Sequence, residues 1–276
     1  MNRRKFLNYI GCGCSGLMLG ACSTAPITDR RQLKIIPESK LNAQAAQIFE
    51  KVKEKEKMSD DTKTLNEIKD IGKRMEESIS EYFYRAGLDD PTVNFDWEYI
   101  LIDNKKVKNA WCMPGGKVVF YTGILPIAKG ETGLAAIMGH EVAHALANHG
   151  QQRMSAAYLQ QGVAIAGNIA IKDEESRNAF NQYYGIGSQV GVMLPFSRSH
   201  ESEADKIGLI LMSIAGYDPT TAISFWERMS ANAGGKSQSE FLSTHPSNSS
   251  RIANLTALAP KAKEEAIKFG VTSFKD

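Results

Sequence analysis

The sequence predicts an α+β fold, mainly helical, with a small β-sheet. Two observations carry this. Long apolar-periodic runs recur at helical spacing, the clearest being Glu131 to Asn148 and the segment opening at Ser197. Stretches rich in β-branched and aromatic residues are few and short, chiefly Val93 to Asp103 and Lys117 to Tyr121.

Met1 to Lys5 carries Arg3, Arg4 and Lys5, and a glycine-rich apolar stretch runs from Phe6 to Gly20. A basic start, an apolar middle and a small-residue end are the layout of a secretory signal, here residues 1–21. Leu19-Gly20-Ala21-Cys22 resembles a lipobox, which implies cleavage before Cys22 and its lipidation. Ser23 after it implies outer-membrane sorting. Asn2 to Leu7 resembles a twin-arginine export motif, with an ordinary export signal as the alternative. Residues 22–37 then read as a tether from lipid to fold.

Residues 38–276 form the expected single domain. Glu38 to Lys57 and Asp61 to Ala86 read as helices, the first with an alternating-charge, solvated face at Lys51 to Lys57. Val93 to Asp103 reads as a strand with Lys117 to Tyr121 beside it, and Pro114-Gly115-Gly116 as the turn before that second strand. The run Glu131 to Asn148 is apolar almost throughout and reads as a buried helix stopped by Gly150. Arg153 to about Ile171 reads as another helix, its apolar part from Tyr158 onward in the core. Lys172 to Pro195 reads as a lid over a cleft, with Tyr183, Tyr184 and Met193 as apolar contacts, or as a plain connector. Asp218-Pro219 caps a helix from Thr220 to Ser230. Ser237 to Asn248 is loop-like, and one or two helices close the chain.

Composition narrows the function. The chain has 33 basic and 31 acidic residues, and the leader takes three of the basic ones, so nothing marks a nucleic-acid surface. Of four cysteines, Cys12 and Cys14 lie in the leader and Cys22 at the lipobox. Cys112 is left alone and reads as a small buried hydrophobe. No run of eighteen apolar residues lies outside the leader.

His140-Glu141-Val142-Ala143-His144 is the most informative motif. Histidines four apart stack on one helix face and can grip one metal ion. Glu141 points to the adjacent sector, where it can reach a water on that ion without ligating it. A third ligand is then needed. The HExxHxxGxxH pattern fails, since Ala147 and Gly150 stand where its glycine and third histidine belong. His149 is five residues beyond His144, so it points elsewhere and reads as a polar residue near a helix end. Glu201 and Asp205 share a helix face. Glu201 could complete a His-His-Glu set and Asp205 could accept a ring N–H from a ligating histidine. The alternative is an acidic first turn that complements the helix dipole. Glu203 faces away from both and is expected in solvent.

The segments HEVAHALANH and SHESEADKIGL together resemble the M48 family of zinc metallopeptidases, the gluzincins with Oma1-, HtpX- and Ste24-like proteases. The resemblance covers about residues 60 to 258. It implies a zincin-like domain, one Zn²⁺ per chain held by His140, His144 and Glu201, Glu141 as general base, and Asp205 as support. Two further segments are similar. Asn109 to Gly116 followed by Lys117 to Gly123 matches the family's edge-strand element. It implies an extended substrate along Lys117, Val118, Val119 and Phe120. Thr244-His245-Pro246 with Arg251-Ile252 matches a motif whose histidine faces the open side of the zinc site. It implies His245 as an oxyanion donor and leaves Arg251 open; because a neutral imidazole is itself a ligand, His245 could also fill the fourth zinc position in a resting state. Without membrane helices or a 34-residue repeat, the match is to the soluble or peripheral bacterial branch. The expected activity is endopeptidase cleavage of unfolded or damaged envelope proteins in the periplasm. The competing reading is a lipid-tethered module that holds client chains with little cutting.

Overall fold

The computed structural model describes residues 22–188, 194–232, 240–246 and 249–276. The expected signal segment, residues 1–21, lies outside them, as does Met193.

Helix ends fall where the capping chemistry puts them. α1 (Glu38–Lys55) is followed by α2 (Thr62–Ala86). The Asp61 side chain accepts from the Thr64 N–H at 3.0 Å to open α2, and Gly87 closes it in the left-handed region at φ 66°. Ile68, Ile71, Met75, Ile79 and Phe83 form its buried stripe.

The sheet has three strands, β3 (Glu98–Ile102), β4 (Ala110–Met113) and β5 (Lys117–Tyr121), in the order β3-β5-β4. β5 runs parallel to β3 and antiparallel to β4. Gly115 and Gly116, both at φ 82°, make the tight β4–β5 turn. A Cβ on Gly116 would also lie 2.7 Å from the Trp97 ring. Of the predicted strand Val93 to Asp103, only the last part forms, because 91–94 is spent in a turn. The expectation that Lys117, Val118, Val119 and Phe120 lie at an edge is overturned. β4 is an extra strand hidden in the Asn109-to-Met113 stretch, and it takes the outer position. β5 is central, paired on both sides and buried.

After a 3₁₀ turn and the short α3 (Leu125–Ala128) comes α4 (Glu131–Leu146), buried over almost its whole length. Its main packing partner is α7 (Leu194–Ile214). The two cross at Gly139 and Gly208, where a Cβ on Gly208 would stand 2.8 Å from the Gly139 carbonyl carbon and 2.9 Å from the His140 nitrogen. Backbone therefore meets backbone one residue from His140 and seven from Glu201. α8 (Thr220–Ala231), α9 (Glu240–Thr244) and α10 (Ser249–Lys268) complete the body.

Gly150 does not stop α4. Asn148 does, at φ 56°, a conformation asparagine tolerates better than most side chains. α5 (His149–Ala170) starts at once and contains Gly150. Beyond Ser155, α5 is not the core helix expected: Ile165 and Ile169 are 54% and 76% exposed. It packs instead on α6 (Glu174–Ser188), with Gly167 against the Phe180 ring and reciprocal amide bonds between Asn168 and Asn181 at 2.8 and 2.9 Å. Among the described residues of the Lys172-to-Pro195 stretch, Glu174–Ser188 is thus helix rather than a plain connector. Its Tyr183 is exposed, while the Tyr184 hydroxyl donates to the Gln160 carbonyl.

The segment expected to be a tether is folded. β1 (Cys22–Thr24) and β2 (Arg31–Leu33) pair antiparallel. The following chain lies on the start of α5 through polar contacts: Gln151 donates to the Ile36 carbonyl, Ser155 accepts from the Ile35 N–H, and Gln152 donates to Gln32. These α5 side chains are buried, and the N-terminal segment supplies partners to their polar atoms save Gln151 Oε1, which has none.

Candidate metal centre

α4 presents His140 and His144 one turn apart, with Nε2 atoms 3.1 Å from each other. α7 brings Glu201 to them. Its Oε2 lies 3.3 Å from His140 Nε2 and its Oε1 3.3 Å from His144 Nε2. His245, just after α9, closes the group. Its Nδ1 is 3.2 Å from His140 Nε2 and 3.1 Å from both Glu201 oxygens. One ligand atom from each of these four buried residues lies within 4.8 Å of all the others. Three imidazole nitrogens and one carboxylate, close enough to share a single point, are a donor set suited to a divalent cation and above all zinc.

Glu141 stands beside the set. It is buried, and its Oε1 has no hydrogen-bond partner, with His245 Nε2 3.5 Å away. Burial raises its pKa, against the opposing pull of His245 and His140. Such an orphaned carboxylate oxygen is costly unless something in the site uses it.

Asp205 is one turn beyond Glu201 on α7, and its Oδ1 is 3.0 Å from His140 Nδ1. That contact orients the His140 ring so that Nε2 faces the group. Burial disfavours the charged form of His140, but Asp205 and Glu201 outweigh it and raise its pKa to about 9. Arg251, at the start of α10, donates to both Asp205 oxygens at 2.8 and 2.6 Å and lies 3.1 Å from Glu201 Oε2. Its guanidinium carbon is 3.4 Å from the centre of the Trp226 ring. Arg251, left open by the sequence, is therefore part of the constellation.

Two expectations were wrong. Glu203 is buried and not in solvent; its Oε2 is 2.9 Å from His149 Nε2. His149 is fully buried, with Nδ1 2.9 Å from His144 Nδ1. The break at Asn148 swings His149 back over the turn it would leave on a straight helix. The sequence signal that could have shown it was Asn148, a residue that readily turns left-handed.

The strand expected to hold substrate, Lys117 to Phe120, does not reach the site with a free edge. Trp111 and Met113 face β5, since the Tyr121 N–H donates to the Asn109 carbonyl and sets the alternation. The main-chain groups of Ala110 and Cys112 point to the other side of β4, which no strand covers among the described residues. Cys112 is half-buried, and burial together with the Glu141 carboxylate raises its thiol pKa, so it is a poor nucleophile.

A small twisted sheet over a buried HExxH helix, with a second helix supplying a carboxylate to both histidines, defines a zincin-like domain with a candidate metal centre. The sequence pattern of peptidase family M48 matches residues 70–259, and the chain belongs to that family. It is 40% identical over 171 residues to mitochondrial metalloendopeptidase OMA1 of Schizosaccharomyces pombe, covering 60% of this chain and 48% of that protein. It is 32% identical over 176 residues to metalloendopeptidase OMA1, mitochondrial, of Homo sapiens, covering 60% and 33%. It is 29% identical over 169 residues to the beta-barrel assembly-enhancing protease of Escherichia coli, covering 59% and 34%. The chain thus spans about half the length, or less, of these relatives. None of the described helices is long and apolar enough to cross a membrane.

Proposed function

We propose that this chain is a zinc-dependent endopeptidase that cleaves unfolded or damaged proteins at a bacterial envelope membrane. The convergence of His140, His144 and Glu201 beside the unpartnered Glu141 oxygen carries the reading. His140, His144 and Glu201 would hold one Zn²⁺. Bound there, the ion would polarise the scissile carbonyl and lower the pKa of attacking water towards about 7.

Each side chain then has a task. Glu141 takes the proton of the attacking water and passes it to the departing amine. Its burial favours this, since a carboxylate short of partners accepts a proton more readily. Asp205 fixes the His140 ring, and Arg251 fixes Asp205 and Glu201. An extended substrate lies along the open side of β4, bonded to the main chain of Cys112 and to the Ala110 carbonyl, since the Ala110 N–H donates to Asn109 Oδ1. An edge-bound substrate must be unfolded locally, which favours damaged client chains. His245 fills the fourth position of the group, so it acts as a latch and must move for a carbonyl oxygen to enter. Once displaced, its ring can donate to the oxyanion.

Similarity to the Escherichia coli protease and the lipobox-like Leu19-to-Cys22 stretch support an envelope location. Cys22 would carry the lipid and anchor the chain at the outer membrane. Incorporation of labelled palmitate that persists in Cys22→Ala would sink the anchor.

Purified protein should contain one zinc per chain and lose both zinc and cleavage of a denatured test protein on chelation. Glu141→Gln should keep the zinc and lose cleavage. Client binding that survives in Glu141→Gln, with no cleavage by the parent protein, would instead make the chain a holding module.

A further inference from the structure

The two metal-facing histidines of α4 are steadied in different ways. His140 Nδ1 meets the Asp205 carboxylate directly. His144 Nδ1 meets another imidazole, His149, at 2.9 Å, and the far nitrogen of His149 meets the Glu203 carboxylate at 2.9 Å. This chain runs away from the metal group toward the N-terminal hairpin. Glu203 accepts from the Thr28 hydroxyl and from Arg30, whose Nε and Nη2 reach Oε2 at 2.6 and 2.5 Å. Arg30 also donates to Gln152 at 2.8 Å, and the His149 ring stacks on His200 at 4.1 Å.

The proton positions follow from these contacts. A ligating His144 must present its Nε2 lone pair to the group, so its one proton sits on Nδ1, and the 2.9 Å contact requires His149 Nδ1 to accept it. The carboxylate of Glu203 can only accept, so His149 must carry its proton on Nε2. Its Nδ1 is then a bare lone pair. The Nδ1–Nδ1 contact needs one proton, and only His144 can supply it. That leaves the His144 Nε2 lone pair free, facing Glu201 and His140. A neutral imidazole in water favours the other tautomer, so the fold must impose this one.

We propose that His149 and Glu203 are positioning residues that hold His144 in its metal-ligating tautomer, and that the N-terminal hairpin locks them through Thr28 and Arg30. The inference rests on the metal reading above. It makes the segment next to Cys22 part of the support of the active site, so that displacing the hairpin loosens a metal ligand. Arg30 serves Glu203 as Arg251 serves Asp205, one cation for each supporting carboxylate. The two α7 carboxylates that steady the histidines, Glu203 and Asp205, flank Glu201 in sequence on one side and leave it as the ligand.

Zinc affinity of the full chain, measured by competition with a chromophoric chelator, tests this. Glu203→Leu and His149→Phe should bind zinc about 10–100-fold more weakly than the parent. Glu203→Gln should stay within about threefold, because its amide oxygen still accepts from His149. Arg30→Met should weaken binding a few-fold; no change would remove the hairpin from the proposal. The ¹⁵N spectrum of the metal-free protein supplies a readout that loss of packing alone does not move. His144 should be protonated at Nδ1 in the parent and shift towards Nε2 protonation in Glu203→Leu. If Glu203→Leu and His149→Phe bind zinc as the parent does, or the His144 tautomer is unchanged, the positioning role is overturned. If Glu203→Gln is as weak as Glu203→Leu, the accepted hydrogen bond is not the cause and the tautomer argument fails. A parent that binds no zinc overturns the metal reading itself. Should His149→Phe not fold, Glu203→Leu against Glu203→Gln and the His144 tautomer decide the matter.

Discussion

Arg251 grips Asp205 through both carboxylate oxygens, at 2.8 and 2.6 Å, and both residues are buried. A bidentate pair of this kind is geometrically rigid, and here it stands directly behind His140. Breaking it from the Arg251 side takes the guanidinium away from two buried carboxylates, Asp205 and Glu201, and leaves His140 to face both. Arg251→Met should destabilise the metal-free protein by about 3–5 kcal/mol, the usual result of orphaning a buried charge. It should also weaken zinc binding roughly 10–100-fold. Denaturant unfolding and chelator competition measure the two effects, and a loss of stability under about 1 kcal/mol would show that solvent reaches the pair.

The crossing of the two ligand-bearing helices is set by glycine. Gly208→Ala would push a methyl group into the Gly139 backbone and move α7 away from α4. The expected cost is about 1–3 kcal/mol of stability, with weaker zinc binding because Glu201 travels with α7. Gly162→Ala is the control. Nothing lies within 4 Å of the added carbon, and it sits inside α5, so it should stabilise by about 0.5–1 kcal/mol. Thermal unfolding of the two variants should shift in opposite directions.

His245 occupies a ligand position with its Nδ1 3.1 Å from Glu201. Its removal opens the fourth place. His245→Ala is expected to bind zinc more weakly and to cleave a denatured test protein faster than the parent. Slower cleavage would give His245 the oxyanion role instead of the latch, and an unchanged rate would dismiss both.

The outward main chain of β4 gives a prediction that spares the fold. The Cys112 N–H points away from β5, so Cys112→Pro removes a donor that the sheet does not use. An extended substrate should lose one hydrogen bond, about 1 kcal/mol or roughly fivefold in KM. Trp111→Pro, which breaks a sheet bond, should unfold the strand. If the KM for a peptide substrate does not move in Cys112→Pro, the substrate does not lie along β4.

Much of the site could be read along the chain because its logic is local. His140 and His144 share a helix face by spacing alone, and so do Glu201 and Asp205. Helix periodicity survives without tertiary context. The strand assignment failed for a physical reason of the same kind. Ala110 to Met113 is too short and too mixed to announce a strand, so Lys117 to Tyr121 seemed to have one free side. Apolar pattern likewise put Tyr158 to Ile171 in the core, but a helix can satisfy part of its apolar face on a single neighbour, as α5 does on α6.

The order of residues alone determined the pair of histidines, the glutamate beside them and the helix that carries a carboxylate one turn before another. Periodicity and capping act over a few residues and are written in the chain. Which groups meet across tens of residues was decided only by packing. The Gly139–Gly208 contact sets the distance from Glu201 to the histidines, and Arg251 arrives from the last helix. The left-handed turn at Asn148 folds His149 back onto His144, and the hairpin closes over Glu203. Those meetings depend on how closely two backbones can approach and on buried polar atoms finding partners, which no stretch of sequence specifies by itself.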